Sequence, residues 1–229
     1  MNKTNLSKVQ QETFDPAILN DIEGYWNERS KTFSETRKKE MSGPGGAAWL
    51  KLLSEHLPTG RTLNVLDIGT GAGFPGMPLK ISMPELKVTL MDSLQKRLGF
   101  LKEVCDALSL EGVDMVHARA EDGGKDKKYR ERFDIVTARA VAALPVLAEY
   151  CLPFVKVGGV FLAMKGHAED EIKSASKAIA LLGGTIEKTD TFRLPGTDMD
   201  RTIVVVRKIR PTPARFPRKA GLPSKEPLS

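Results

Sequence analysis

The chain has 229 residues, of which 41% are hydrophobic and 28% charged. That length fits one α/β domain with short additions, and the composition excludes a disordered or collagen-like chain. No run of about 18 apolar residues occurs, so no transmembrane helix is expected, and the polar start MNKTNLSKVQQETFD lacks the apolar core of a secretory signal.

The formal net charge is +6. Residues 207–229 carry seven basic residues against Glu226 alone, so residues 1–206 balance at 28 basic and 28 acidic. A neutral body with a basic tail suggests a polyanionic partner, and a tail that only aids solubility is the alternative. Cys105 and Cys151 lie inside apolar patterns and read as buried thiols of a cytosolic protein. His56, His117 and His167 are scattered and lack metal-ligand spacing, so no metal is expected.

Residues 16–31 read as a first helix, capped by Asp15 with Pro16 at its first position. Residues 44–57 read as a second, stopped by Pro58 and Gly60. From residue 63 short apolar runs alternate with helical segments. Strands are predicted at 63–68, 87–92, 113–118, 133–138, 159–165, 184–192 and 201–208. Helices are predicted from Pro75 onward and at 94–108, 144–154 and 168–182. This alternation argues a doubly wound, mostly parallel, Rossmann-like sheet of seven strands. Only the loop RLPGTDMD separates the last two strands, so they should pair antiparallel. The closing KIRPTPARFPRKAGLPSKEPLS has five prolines and no apolar periodicity, and is expected to be extended; the alternative is that Phe216 packs on the body and orders it as a lid or brace. The expected organisation is a helical extension at 1–60, a nucleotide-binding domain at 61–208 and a basic Pro-rich tail at 209–229.

The strongest motif is Val65-Leu-Asp-Ile-Gly-Thr-Gly-Ala-Gly-Phe-Pro-Gly76. Gly69, Gly71 and Gly73 let the backbone turn sharply and approach a ligand where a Cβ would collide. The spacing is GxGxG, not the GxGxxG of the dinucleotide fingerprint, and Asp67 fits an S-adenosylmethionine (SAM) site better. The next strand ends at Asp92, 23 residues after Gly69, where a carboxylate can accept from a ribose diol. That carboxylate disfavours the 2′-phosphate of NADP. After the third strand, Ala120 and Glu121 suit the polar edge of an adenine. His117 reads as a satisfied strand-end histidine. The fourth strand leads into Thr137-Ala-Arg-Ala140, with Arg139 facing the ligand crevice and needing an anionic or carbonyl partner.

From about residue 63 to the C-terminus the chain resembles the bacterial 16S ribosomal RNA (guanine-N7) methyltransferase family, also called the glucose-inhibited division protein B family. The resemblance rests on VLDIGTGAGFPGMPLKI, LMDSLQKRLGFL, ARAED, FDIVTARAVAAL, LPFVKVGG, AMKG and FPRKAGLPSKEPL. It implies a class I SAM-dependent enzyme acting on 16S rRNA or a small ribosomal subunit precursor in the cytoplasm. It also implies that Gly69, Phe74, Ala120, Glu121 and Arg139 contact SAM. Arg139 is further a candidate catalytic donor to guanine O6. Arg215, Arg218 and Lys219 are expected to meet RNA phosphates. A monomer without membrane attachment is expected. The first ~60 residues look more like the front of generic small-molecule methyltransferases, which keeps such an enzyme as the alternative reading. A non-catalytic nucleic-acid-binding module, suggested by the tail alone, is a second alternative.

Overall fold

The computed structural model describes residues 43–57 and 60–228; the helix predicted at 16–31 lies outside them. Helix α1 (Gly43–Ser54) is followed by β1 (Asn64–Ile68), α2 (Gly76–Ser82), β2 (Lys87–Asp92), α3 (Gln95–Ala107), β3 (Val113–His117) and α4 (Ala120–Gly123). Then come β4 (Phe133–Arg139), α5 (Leu144–Cys151), β5 (Val155–Lys165), α6 (Glu169–Leu181), β6 (Gly184–Arg193), β7 (Asp200–Lys208) and α7 (Leu222–Lys225).

The seven strands form one sheet in the order β3-β2-β1-β4-β5-β7-β6. The pairings from β3 through β5 are parallel, and β7 runs antiparallel to both β5 and β6. Side chains alternate across the pleat. On β7, Ile203 and Val205 enter one apolar layer while Val204 and Val206 enter the other. The first layer also takes Trp49 and Leu53 of α1, Leu79 of α2, and Leu98 and Leu101 of α3. The second takes Leu147 of α5 and Ile179 of α6. Both faces are thus covered, as the mixed strand–helix alternation requires.

The region predicted as one helix at 144–154 breaks after Cys151 into a single 3-10 turn, Leu152–Phe154. Pro153 explains the break, because it lacks an N–H and restricts the residue before it. Strand β5 starts four residues before its predicted first residue, with a register shift where it meets β4 between Phe133 and Ile135.

The larger difference is the C-terminal segment. It is not a free extended tail but lies against the α5 side of the sheet. Phe216 is 3% exposed in the second apolar layer. The Arg130 guanidinium collects the segment's carbonyls, donating to Thr212 O (2.7 Å), Phe216 O (2.8 Å) and Pro213 O (3.3 Å). Arg218 grips the fully buried Glu149 through both carboxylate oxygens, with Nη2 2.7 Å from Oε2 and Nε 3.0 Å from Oε1. Its backbone N–H donates to the same carboxylate at 2.7 Å. Lys208 is also buried and lies 3.2 Å from Glu131. Proline here removes donors without preventing burial, because arginines supply the donors its neighbours' carbonyls need.

This arrangement predicts a specific stability pattern. Arg218→Ala strands a buried carboxylate and should cost about 3–5 kcal/mol, whereas removing both partners with Glu149→Leu and Arg218→Ala should cost less. Denaturant unfolding of the two variants checks this; equal or smaller loss in the single variant would contradict the assignment.

Candidate cofactor and substrate crevice

The carboxyl ends of β1 to β4 lie side by side. Asp92 pairs in register with His117, and Ile68 with both Met91 and Ala138. The loop after β1 is held over this edge by two buried carboxylates.

Asp67 is 1% exposed. Its Oδ2 accepts from Thr70 Oγ1 (2.6 Å) and Gly76 N (3.2 Å), and its Oδ1 accepts from Thr137 Oγ1 (3.2 Å). One side chain thus ties the glycine loop to the start of α2 and to β4. Burial pushes its pKa up to about 6, against the opposing pull of those donors and of the Arg139 charge.

Asp92 is 2% exposed and pins the other side of the loop. Its Oδ2 accepts from Gly71 N (3.0 Å) and from Arg97 Nη1 (3.2 Å), and its Oδ1 from Leu94 N (2.9 Å). The loop backbone adds Gly69 N to Met91 O at 2.8 Å.

The three predicted glycines are not equivalent. Gly71 has φ +58°, and a Cβ there would meet nothing nearer than Gly69 O at 3.8 Å, so its face opens into the crevice. A Cβ on Gly73 would instead sit 2.6 Å from Met77 Cγ and 2.7 Å from Leu101 Cδ2. The missing Cβ at Gly73 is thus required by the packing of the loop on α2 and α3. At Gly69 the blocking group is Val141 Cγ2, at 2.7 Å.

Phe74 is buried, and the half-buried Arg139 lies over its ring with Cζ 4.7 Å from the centroid. Such a stack orients a guanidinium. After Arg139, Ala140 adopts φ +53° and turns Val141 back over Gly69.

Two residues the sequence reading missed fix this turn. Lys165 Nζ donates to Ala142 O (3.0 Å) and pairs with Glu171 at 2.8 Å. Glu171 Oε2 accepts from Leu144 N at 2.6 Å. The AMKG motif was the available signal for Lys165, and nothing local marks Glu171.

Ala120 and Glu121 begin α4 beside Asp92, to whose carbonyl Ala118 N donates at 3.2 Å. The Glu121 carboxylate is held by donors of the chain itself. It is 2% exposed and accepts from Gly221 N at 2.8 Å and from Arg119 Nη2 at 3.4 Å. Burial raises its pKa, but these donors outweigh burial and hold it below the usual carboxylate range. His117 Nε2 lies 3.0 Å from Ser93 O, a satisfied strand-end position. Of the predicted RNA contacts, Arg215 and Lys219 are exposed, with Arg215 over the Phe216 ring. Arg218 is not available, because Glu149 occupies it.

The residues present fit a nucleoside-bearing ligand, since Gly71 offers an open backbone face and Asp92 closes the second strand beside it. A doubly wound sheet with this crevice and one reversed strand beside its edge defines a class I SAM-dependent methyltransferase. The chain belongs to the GidB family, rRNA small subunit methyltransferase G, which matches residues 26–202.

Relatives named ribosomal RNA small subunit methyltransferase G include one from Acetivibrio thermocellus. It is 56% identical over 169 residues, covering 74% of this chain and 70% of the relative. One from Oceanobacillus iheyensis is 45% identical over 225 residues, covering 98% of this chain and 93% of the relative. The family match therefore takes in most of the front segment, which had read as that of a small-molecule enzyme.

Two solved structures share the fold. One is a mutant 16S rRNA (adenine(1408)-N(1))-methyltransferase with cosubstrate SAM from Catenulisporales acidiphilia, with TM-score 0.55 and 14% identity. It covers 72% of this chain and 92% of that one. TrmN from Thermus thermophilus has TM-score 0.55 and 20% identity, covering 76% of this chain and 52% of that one.

Asp67 carries a pH prediction. Its folded-state value of about 6 lies above the ordinary 3.8, so the folded chain holds the proton more tightly than the unfolded one. The stability this contributes is complete below about pH 4 and is lost as pH rises to about 6, a change of roughly 3 kcal/mol. Denaturant titrations of wild type and Asp67→Asn across pH 4–7 isolate the effect. The wild type should lose stability relative to the variant across that window, and a constant difference would remove the assignment.

Proposed function

We propose that the chain transfers the SAM methyl group to N7 of a guanine in 16S rRNA, either free or in a small ribosomal subunit precursor. The observation that carries this reading is the convergence of the open Gly71 backbone, Asp92 and the Phe74–Arg139 stack on one crevice in a member of this rRNA methyltransferase family. SAM, when bound, supplies an electrophilic methyl on a sulfonium. Gly69, Gly71 and Asp92 would hold its nucleoside end, and Phe74, Ala120 and Arg139 would line its surroundings. Glu121 belongs with them through the segment it fixes.

Guanine N7 presents an in-plane lone pair and has no proton to lose. The transfer therefore needs alignment rather than a general base, and alignment alone can supply several kcal/mol. This agrees with the crevice carboxylates, since Asp67, Asp92 and Glu121 each already accept hydrogen bonds from fixed donors. Arg139, oriented by Phe74, suits donation to guanine O6. A bidentate grip on O6 and N7 together would occupy the nucleophile, so the donor must take O6 alone. Lys165 and Glu171 hold the turn that follows Arg139. Arg215 and Lys219 are the tail cations left to meet phosphate. The reading also takes the chain to work in the cytoplasm, where its rRNA substrate is made, and as a monomer. Among the described residues no helix is long and apolar enough to cross a membrane.

Mapping N7-methylguanine in 16S rRNA from cells lacking the gene tests the proposal. One site should lose its methyl group, and the wild-type gene should restore it. Arg139→Ala should reduce transfer about a hundredfold, the size of losing one donor aimed at the reacting base. Its thermal melt should change much less than its activity, as expected of a half-buried side chain at a strand end. Unchanged rRNA methylation in the deletion strain, with methyl transfer to a small molecule by the pure enzyme, would overturn the RNA assignment. Arg215→Ala with Lys219→Ala should lower the slope of log K against log salt by about 1.4 for a single-stranded substrate. An unaltered slope would exclude both from the RNA interface.

A further inference from the structure

The segment after β3 has to be held by its surroundings. Helix α4 is four residues long. One helical turn barely repays the cost of nucleation, so tertiary contacts must fix it. On its inner side Gly123 packs so closely that a Cβ would lie 2.9 Å from Met91 Cε and 3.2 Å from Phe154 Cζ. On its outer side the C-terminal segment supplies most of the fixed contacts, directly or through Arg130. Glu121 accepts from Gly221 N at 2.8 Å. A Cβ on Gly124 would sit 2.9 Å from Pro217 Cγ. Arg130 Nη1 bridges Gly124 O at 2.9 Å and Phe216 O at 2.8 Å.

The C-terminal segment is itself fastened elsewhere. Arg218 holds Glu149 of α5, and Tyr150 Oη lies 2.6 Å from Ser224 Oγ. Thr212 Oγ1 donates to Leu182 O at 2.7 Å. Gly221 has φ +83°, a left-handed turn that brings its N–H onto Glu121. A strap anchored on α5 and on the end of α6 thus presses a short segment against the carboxyl edge of β2.

We propose that residues 211–226 are a clamp on the wall of the cofactor crevice, and that Glu121 is a positioning residue that acts on SAM binding through Gly221. The proposal rests on the SAM crevice described above. The Glu121 carboxylate is 2% exposed and its Oε1 is taken by Gly221 N and Arg119 Nη2, so its influence on the reaction runs through the placement of Ala120 and of the backbone at 118–121. Small displacements of such a wall weaken binding while leaving the reacting groups intact. The clamp also explains why a segment rich in cations spends Arg218 internally.

The test combines a wall variant, a strap variant and their double mutant, with SAM affinity by calorimetry and initial rates on 16S rRNA. Glu121→Ala should raise KM for SAM roughly tenfold, the loss of one charge-assisted hydrogen bond, with kcat changed less than threefold. Glu121→Gln keeps an oxygen acceptor for Gly221 N–H and should restore most of the affinity. Gly221→Pro removes the donor from the strap side and should raise KM by a similar factor, although it changes no residue of the crevice. The double variant Glu121→Ala, Gly221→Pro should be no worse than either single one. If Gly221→Pro lowers the yield of folded protein, Gly221→Ala keeps the N–H but strains the left-handed turn, and should give a smaller rise in KM. Normal SAM affinity in both Gly221 variants, or additive losses in the double variant, would overturn the clamp and return Glu121 to direct cofactor contact. A wild-type chain that binds no SAM would overturn the crevice assignment and the clamp together.

Discussion

A carboxylate taken out of water must find donors for its oxygens, and Asp67 finds them on three separate pieces of the chain. Thr70 belongs to the glycine loop, Gly76 opens α2 and Thr137 lies on β4. Without those contacts the loop between Ile68 and Gly76 would have no fixed height above the strand ends. Asp92 repeats the device one strand over by taking Gly71 N. The crevice floor is therefore a backbone surface held rigid from below by two buried acids, and the open face at Gly71 is what this rigidity leaves exposed.

Burying acids has costs that differ with the partner. Asp67 accepts from the neutral donors Thr70, Gly76 and Thr137, and burial wins over them and over the Arg139 charge, so its proton affinity rises. Glu121 has a backbone N–H together with a cation, Arg119, and its proton affinity falls. Glu149 is fully buried and is matched by the fork of Arg218 with geometry that a lysine would not reproduce. The same physics, applied with different donors, produces a rigid floor, an anchored wall and a fastened C-terminal segment.

The strands and most helices were legible because each writes its periodicity into consecutive residues, and β7 alternates its two faces residue by residue. The glycine loop and Asp92 were legible through their spacing, and Arg139 through its place at the end of an apolar strand. The C-terminal segment was legible only in part, through Phe216 as a candidate brace. Its prolines and cations describe an extended chain, while the groups that fold it down lie far off: Glu149 is 69 residues before Arg218, and Glu121 is 100 residues before Gly221. The charge pattern pointed to a polyanionic partner but did not show which tail cations are spent inside the protein. Arg207, Lys208 and Arg218 pair with Glu187, Glu131 and Glu149, so the tail's cations are partly cancelled by the body's acids. The positive excess is thereby shared between the tail and the body surface. Glycine roles were also partly hidden, since whether a missing Cβ admits a ligand or a methionine is decided by tertiary packing.

These assignments bear on how the reaction is driven. Had a carboxylate in the crevice been left without donors, a proton-abstracting mechanism would be a natural reading, because an unpaired buried acid with a raised pKa is poised to act as a base. Asp67 has the raised pKa, but it is 1% exposed and its oxygens are committed to Thr70, Gly76 and Thr137. Asp92 and Glu121 are committed to the backbone of the loop and of the strap. What the crevice offers to a substrate is a cation stacked on an aromatic ring and a turn fixed by Lys165 and Glu171. Such a site orients an electron-rich ring nitrogen and fixes the partner of its carbonyl oxygen. That is the whole requirement for methylating a nitrogen that has no proton to give up, and a substrate needing deprotonation would find no partner among these three acids.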